Sequence, residues 1–281
     1  MGINIISTDN KYLASDYTIT NLVDGKDIFL NTRQDINIIN KSKTWDYFGL
    51  KKTDNCIYGL RIVDDVAYWF NRFYKNEAIS FFVVSSYESY LLLTKELRCE
   101  KPVLYLEDVI MTPAIPVDII KSNRVYTFSN PINLDDRLLN MENMDIYTAD
   151  SYFMYDEMIH CNLRGRTKGK FIEWTPDIVT EYAKYKIAYI YYNKKLTANI
   201  NKLKSINRMS QCFYFNQDVV TNYPGRFHPD MEKELTVDRI DDEFYKICGN
   251  TRIIYDMFLS HDIIKNNLIN FCNKLYLSKM S

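Results

Sequence analysis

The sequence predicts an α/β fold with a parallel, Rossmann-like sheet. Three features carry that expectation. Between residues 56 and 128, short β-branched and aromatic runs alternate with helical patterns, as when helices cover a parallel sheet. Residues 1–50 form a β-rich N-terminal segment of short strand-like runs separated by polar turns. Beyond residue 150 the periodicity becomes mainly helical. The expected organisation is an α/β domain over 1–150, then a mainly helical domain over 151–281 built on a long helix at 176–208.

The elements follow in order. Ile3–Ile6, Tyr17–Leu22, Asp27–Leu30 and Asp35–Ile39 read as strands, as does Cys56–Val63. Asp64 is placed to cap a helix over 65–77 with Val66, Trp69, Phe70 and Phe73 on one side. Ile79–Val84 is a run of buried-strand type, and Ser86 can cap a helix from Tyr87 to Leu97. Pro102–Leu106 is a strand, Pro116 opens a short helix to Lys121, and Val125–Phe128 is the next strand. Asp135–Met141 reads as a short helix, and Ile146–Ile159 fits either state. Residues 213–229 look irregular. Helices follow over Val237–Cys248, Thr251–Leu259 and Asp262–Leu277.

The helix over 176–208 rests on spacing. Ile178, Tyr182, Tyr185, Tyr189, Tyr192, Leu196, Asn199, Leu203 and Ile206 recur at steps of four and three, which would line one helical seam. Such a seam suits a core helix, or a homodimer joined along 178–206 with Asn199 fixing register. Charge is uneven. Residues 164–208 hold eleven Lys/Arg against three Asp/Glu, a local +8; with −1 for the whole chain, the remainder carries −9.

Apolar content of 47% excludes disorder. The six cysteines form no Cys-x-x-Cys pair, so neither a disulfide framework nor a zinc site is expected, and a reducing cytoplasmic compartment with free thiols is the default. No signal peptide and no membrane span is legible. Abundant Asn, Ile, Lys and Tyr fit an AT-rich coding genome of viral or phage kind.

Ligands of an open parallel sheet gather beyond the carboxyl ends of its strands. That rule selects Asp64, Glu107 and Asp108 as candidate catalytic or metal-holding carboxylates, and Ser85 and Ser86 as candidate phosphate ligands at a helix start. Capping and ordinary solvation account for the same residues. Three apolar-Asp-Asp sequences, ending at Asp65, Asp136 and Asp242, suit a divalent ion but suit helix caps better. His160, His228 and His261 are scattered and nominate no metal centre, and no cofactor is nominated. The loop 164–170 carries Arg164, Arg166, Lys168 and Lys170 around two glycines, with Trp174 close behind. Cations beside aromatic faces suit phosphates and unpaired bases. The favoured expectation is therefore a nucleic-acid binder, taking RNA or a single strand, or another phosphorylated ligand, through 164–208. A nucleotide-sugar-dependent glycosyltransferase with a Rossmann-like donor site is the alternative, and a self-associating assembly protein is a third.

Overall fold

The computed structural model describes residues 2–6, 25–27, 35–40, 56–63, 65–107, 122–128, 134–149, 168, 170–174, 179–192 and 198–280. Six parallel strands form the first sheet: β1 (Ile3–Ile6), β2 (Gly25–Asp27), β3 (Ile36–Asn40), β4 (Ile57–Ile62), β5 (Ile79–Val84) and β6 (Val103–Tyr105), in the order β2-β1-β3-β4-β5-β6. Successive side chains point to opposite faces. Ile36, Ile38, Ile57, Phe81 and Val83 enter one apolar cluster, while Ile39, Leu60, Ile62, Phe82 and Val84 enter another. Helices cover both faces, which is why β4 and β5 read as near-continuous apolar runs. On the second face lie α1 (Val66–Phe73) and α2 (Tyr87–Leu91), the latter prolonged by a π-helical turn over Leu92–Glu96.

The first face is covered from the far end of the chain. The terminal helix α9 (His261–Met280) places Ile264, Leu268 and Cys272 in the same cluster as Phe81. Its Phe271 meets the Phe81 ring at 5.3 Å, and Lys279 donates to the Cys56 carbonyl at 3.1 Å. Gly59 has a steric reason. A Cβ there would lie 2.2 Å from the Phe81 ring, so only glycine admits that ring across the sheet.

The second sheet has a different plan. β7 (Val125–Phe128), β8 (Met144–Ala149), β9 (Lys170–Trp174), β10 (Ile187–Ile190) and β11 (Asp218–Thr221) are parallel in the order β9-β8-β7-β10-β11. Chain direction of travel reverses between β7 and β10, which makes a topological switch point. A hairpin of β12 (Thr236–Arg239) and β13 (Tyr245–Cys248) adds antiparallel strands beside β11. Position 150 lies between β8 and β9, which pair directly, so this sheet draws on both sides of it. Short helices connect the strands: α3 (Asp136–Leu139), α4 (Val179–Tyr182), α5 (Ala198–Lys202), α6 (Asn207–Tyr214), α7 (Pro229–Glu232) and α8 (Thr251–Ile254), the last followed by a π-helical turn over Tyr255–Leu259.

The single helix expected over 176–208 does not exist. The segment holds α4, β10, α5 and the start of α6. Ala188 and Ile190 face one apolar cluster while Ile187 and Tyr189 pack on the other. A strand covered on both faces has no polar side, so its apolar run imitated a helical seam. The homodimer seam falls with the helix, because Tyr182, Tyr185, Tyr192 and Ile206 are all buried in this chain's own core. The helix expected over Val237–Cys248 is the β12–β13 hairpin. Asp241 accepts from the Glu243 and Phe244 N–H groups, each at 2.7 Å, and so turns the chain instead of capping a helix. The stretch 213–229 is more regular than expected, since it contains β11. The helices over 251–259 and 262–277 are present, as are the strands at 3–6, 79–84 and 125–128. The strand expected at Tyr17–Leu22 and the helix at Pro116–Lys121 lie outside the described residues.

Candidate functional site

The carboxyl ends of the two sheets converge on one short segment, Lys202–Arg208. From the first sheet, Ser86 follows β5, caps α2 by accepting from Ser89 N–H at 3.1 Å, and stands 2.8 Å from the Leu203 carbonyl as its donor. Glu107 follows β6. Its Oε1 accepts from Ser205 Oγ at 2.7 Å and from Ile206 N–H at 3.0 Å, and its Oε2 accepts from Tyr105 O–H at 2.7 Å. From the second sheet, Arg208 donates to the Phe128 carbonyl at the end of β7, 2.9 Å away, and its guanidinium lies over the Tyr192 ring. Tyr192 follows β10, and its hydroxyl donates to Ser205 O at 3.4 Å. Tyr223 follows β11, and its hydroxyl reaches the carbonyls of Lys202 and Lys204 at 3.2 and 3.1 Å.

Backbone geometry makes this convergence possible. A Cβ on Gly225 would lie 2.4 Å from Tyr223 Oη and 2.7 Å from Lys202 O, so a side chain there would push the segment off its anchor. Asn222 ties β10 to β11 beyond their ends, accepting from Tyr192 N–H at 2.7 Å and donating to Tyr192 O at 2.9 Å. A further bridge joins the two halves at the rim. Arg226 donates to both carboxylate oxygens of Glu88, at 2.8 and 3.1 Å. The Arg226 guanidinium holds the Glu88 carboxyl below its ordinary range. Burial pushes the Tyr192 hydroxyl up to about 12, so it stays a neutral donor at physiological pH.

The expected site residues divide into three sets. Ser86 and Glu107 are brought together at the crevice, and Ser85 is buried beside them. Ser86 and Glu107 each also bond across to the opposite half, at Leu203, Ser205 and Ile206, so cross-linking is what the geometry displays. Lys168, Lys170 and Trp174 are elsewhere: Lys170 and Trp174 belong to the edge strand β9, and exposed Lys168 pairs with Glu142. Asp64, Asp108, Arg164 and Arg166 lie outside the described residues, as does His160. Sequence reasoning missed Arg208, Tyr192, Asn222 and Tyr223 because it placed the first two on one helix and the others in an irregular stretch. The available signal was Ile187–Tyr192 itself, a short β-branched and aromatic run bounded by Lys186 and Asn193.

Among the described residues, the cations of the basic segment do not form one surface. Lys184 pairs with Glu181 beside Ser122, which precedes β7, whereas Arg208 sits at the opposite, carboxyl end of that strand. Lys168, just before β9, pairs with Glu142, just before β8. Among the described residues no cluster of three or more His, Cys, Asp or Glu is arranged to hold a metal ion, and no helix is long and apolar enough to cross a membrane.

No protein-family model and no curated protein matches the sequence. Solved structures do match in fold. The crystal structure of the GtfA/B complex superimposes with a TM-score of 0.50 at 10% identity, covering 88% of this chain and 58% of that one. TarM matches with a TM-score of 0.51 at 11% identity, over 83% of this chain and 48% of that one. A mutant of S. aureus TarM in complex with fondaparinux, α-GlcNAc-glycerol and UDP gives a TM-score of 0.50 at 12% identity, over 87% and 54%. The chain thus spans about half the length of the structures it matches. These neighbours are glycosyltransferases, and that likeness overturns the expectation of a nucleic-acid binder. Arg208, at the carboxyl end of β7, is set apart from Lys168 and Lys184 at the amino ends of the strands, so these cations do not follow the one path that counterion release needs.

Proposed function

We propose that this chain is a glycosyltransferase that takes a sugar from a nucleotide-linked donor. The observation that carries the proposal is the meeting of two parallel sheets, carboxyl end to carboxyl end, around Lys202–Arg208. Open α/β sheets bind nucleotides at such edges, beside the switch point. TarM, of like fold, has been solved with UDP. In this reading the crevice beyond β7 and β10 takes the donor diphosphate. Arg208 is the residue we assign to it: one Nη is used on the Phe128 carbonyl, and a guanidinium has five donors in a planar fork. Tyr192 supports that guanidinium from beneath. Ser86 and Glu107 serve as the ties that fix the distance between the two edges, and Glu107 is not assigned to bond making. The GtfA/B structure is a complex, so a protein partner is part of the proposal. Sedimentation velocity on the pure chain separates self-association from a partner of another kind.

The test is calorimetric titration with UDP, GDP and ADP, followed by their sugar conjugates. Binding of at least one nucleoside diphosphate is expected, weakened about tenfold or more in Arg208→Gln, the equivalent of one charge-assisted hydrogen bond. Arg208→Lys keeps the charge and loses the fork, and should fall between. If the folded wild-type chain binds none of these nucleotides, the proposal is wrong.

A further inference from the structure

An open cleft of about 610 Å³ lies beside the crevice, where the edge of the first sheet meets the terminal helix. Its walls are aromatic. Tyr87 and Tyr90, one turn apart at the start of α2, have near-parallel rings with centroids 6.1 Å apart. Tyr105 on β6 and His228, just before α7, are also parallel, at 6.1 Å and 7°. Tyr87 stands edge-on to both, at 5.9 Å from Tyr105 and 5.2 Å from His228. The opposite wall is the α9 face bearing Asn270 and Lys274.

We infer that this cleft binds a saccharide. A pyranose presents an apolar C–H face and a rim of hydroxyls. Four aromatic rings supply surfaces for the first, and an amide beside them supplies one acceptor and two donors for the second. His228 Nδ1 accepts from Asp230 N–H at 3.3 Å, so the neutral ring carries its proton on Nε2, a donor for a sugar hydroxyl. A nucleotide fits less well, because Lys274 is the only lining lysine or arginine among the described residues. An alkyl chain would strand the amide and the imidazole. The cleft also communicates with the crevice: the Tyr105 hydroxyl in its wall donates to Glu107, which holds Ile206. The sugar's role as an acceptor rests on the transferase reading above; its binding does not.

Saturation-transfer-difference NMR with chitotriose and maltotriose tests the inference. Saturation is expected on the ring protons of at least one trisaccharide, with affinity lowered about fivefold in Tyr87→Ala and in Asn270→Ala. Asn270 is exposed on a helix, so its variant keeps the fold even if Tyr87→Ala does not. Absence of transfer from both trisaccharides to folded wild-type protein, or transfer undiminished in Asn270→Ala and in folded Tyr87→Ala, overturns it. UDP titration of the same samples separates the two proposals. UDP binding without sugar binding sinks the cleft alone, and sugar binding without any nucleotide binding sinks the donor site alone.

Discussion

Phe81, Val83, Ile36 and Ile38 fill one side of the first sheet, and Phe82, Val84, Leu60 and Ile62 fill the other. The second sheet is held at its heart by tyrosines. Tyr126 stacks on Tyr182 at 4.7 Å, and its hydroxyl donates to Gln217 Oε1 at 3.0 Å. The Gln217 amide in turn donates to the carbonyls of Tyr182 and Tyr185, at 2.6 and 3.0 Å. Tyr185 donates to buried Asp145 at 2.6 Å, and Arg124 closes the chain on the same carboxylate. Burial and the Asp145 carboxylate push the Tyr185 hydroxyl far up, so it remains a donor. One interior is therefore packed mainly by apolar side chains, while a hydrogen-bonded chain of tyrosines threads the other. The lesson is that they should fail under opposite kinds of substitution.

The largest effect is expected from shape in the first sheet. Phe81→Ala removes a ring that is 0% exposed and packs on Phe271, and should cost about 3–5 kcal/mol. Gly59→Ala forces a Cβ into that ring and should cost about 1–3 kcal/mol or more. In a cycle of wild type, Gly59→Ala, Phe81→Leu and Gly59→Ala/Phe81→Leu, the double variant should be more stable than the sum of the two singles, because the shorter side chain vacates the space the Cβ needs. Urea midpoints of the four proteins decide it. Strict additivity would mean that the Gly59–Phe81 contact is not what constrains this sheet.

The second sheet should respond instead to the loss of a polar atom at constant shape. Tyr126→Phe keeps the stacking and leaves Gln217 Oε1 without its tyrosine donor, for a cost of about 1–3 kcal/mol. The control is Phe82→Leu in the first sheet, a larger change of shape with no polar consequence. If Tyr126→Phe is neutral in chemical denaturation, the hydrogen-bond network does not define this core.

The same contrast explains what could be read in advance. In the first half, strand and helix alternate with clean punctuation: Ser86 does cap α2, and Ile79–Val84 is β5 to the residue. In the second half, Tyr182, Tyr185, Tyr189 and Tyr192 keep helical spacing by coincidence while serving a helix end, a bridge, a strand and a strand end. Tyrosine suits either state, because a ring fills space in both, and where its hydroxyl takes a partner, as in Tyr185 and Tyr192, it does so through tertiary contact. The candidate site was half legible for a related reason. Ser86 and Glu107 follow predicted strands, so the strand-end rule found them. Arg208 and Tyr223 meet them only once β7, β10 and β11 are set side by side. Asp135 shows local chemistry surviving: it accepts from Arg137 N–H at 2.8 Å, as a cap should. Asp241 shows the same chemistry in another element, since an Asx turn and a helix cap use one acceptor in the same way.

A smaller effect is expected where the two halves meet, at Glu88 and Arg226. Arg226 holds the Glu88 carboxyl below its ordinary value of 4.5. A depressed carboxyl contributes stability that is complete above its unfolded value and is lost as pH falls through the folded one. The bridge should therefore strengthen the junction at pH 7 and contribute progressively less as the solution is acidified below the ordinary carboxylate range. The Glu88 side chain is 6% exposed but that of Arg226 is 61% exposed, so water screens the pair and about 1 kcal/mol is the appropriate scale. The measurement is the difference in urea stability between wild type and Glu88→Gln, taken at pH 7 and again near pH 3.5. The gap should narrow in acid, even as both proteins weaken for other reasons. A gap that stays constant would mean that Glu88 stabilises α2 by packing and by neutral hydrogen bonds. The junction would then depend on the Ser86 and Glu107 ties without help from an ion pair at Glu88.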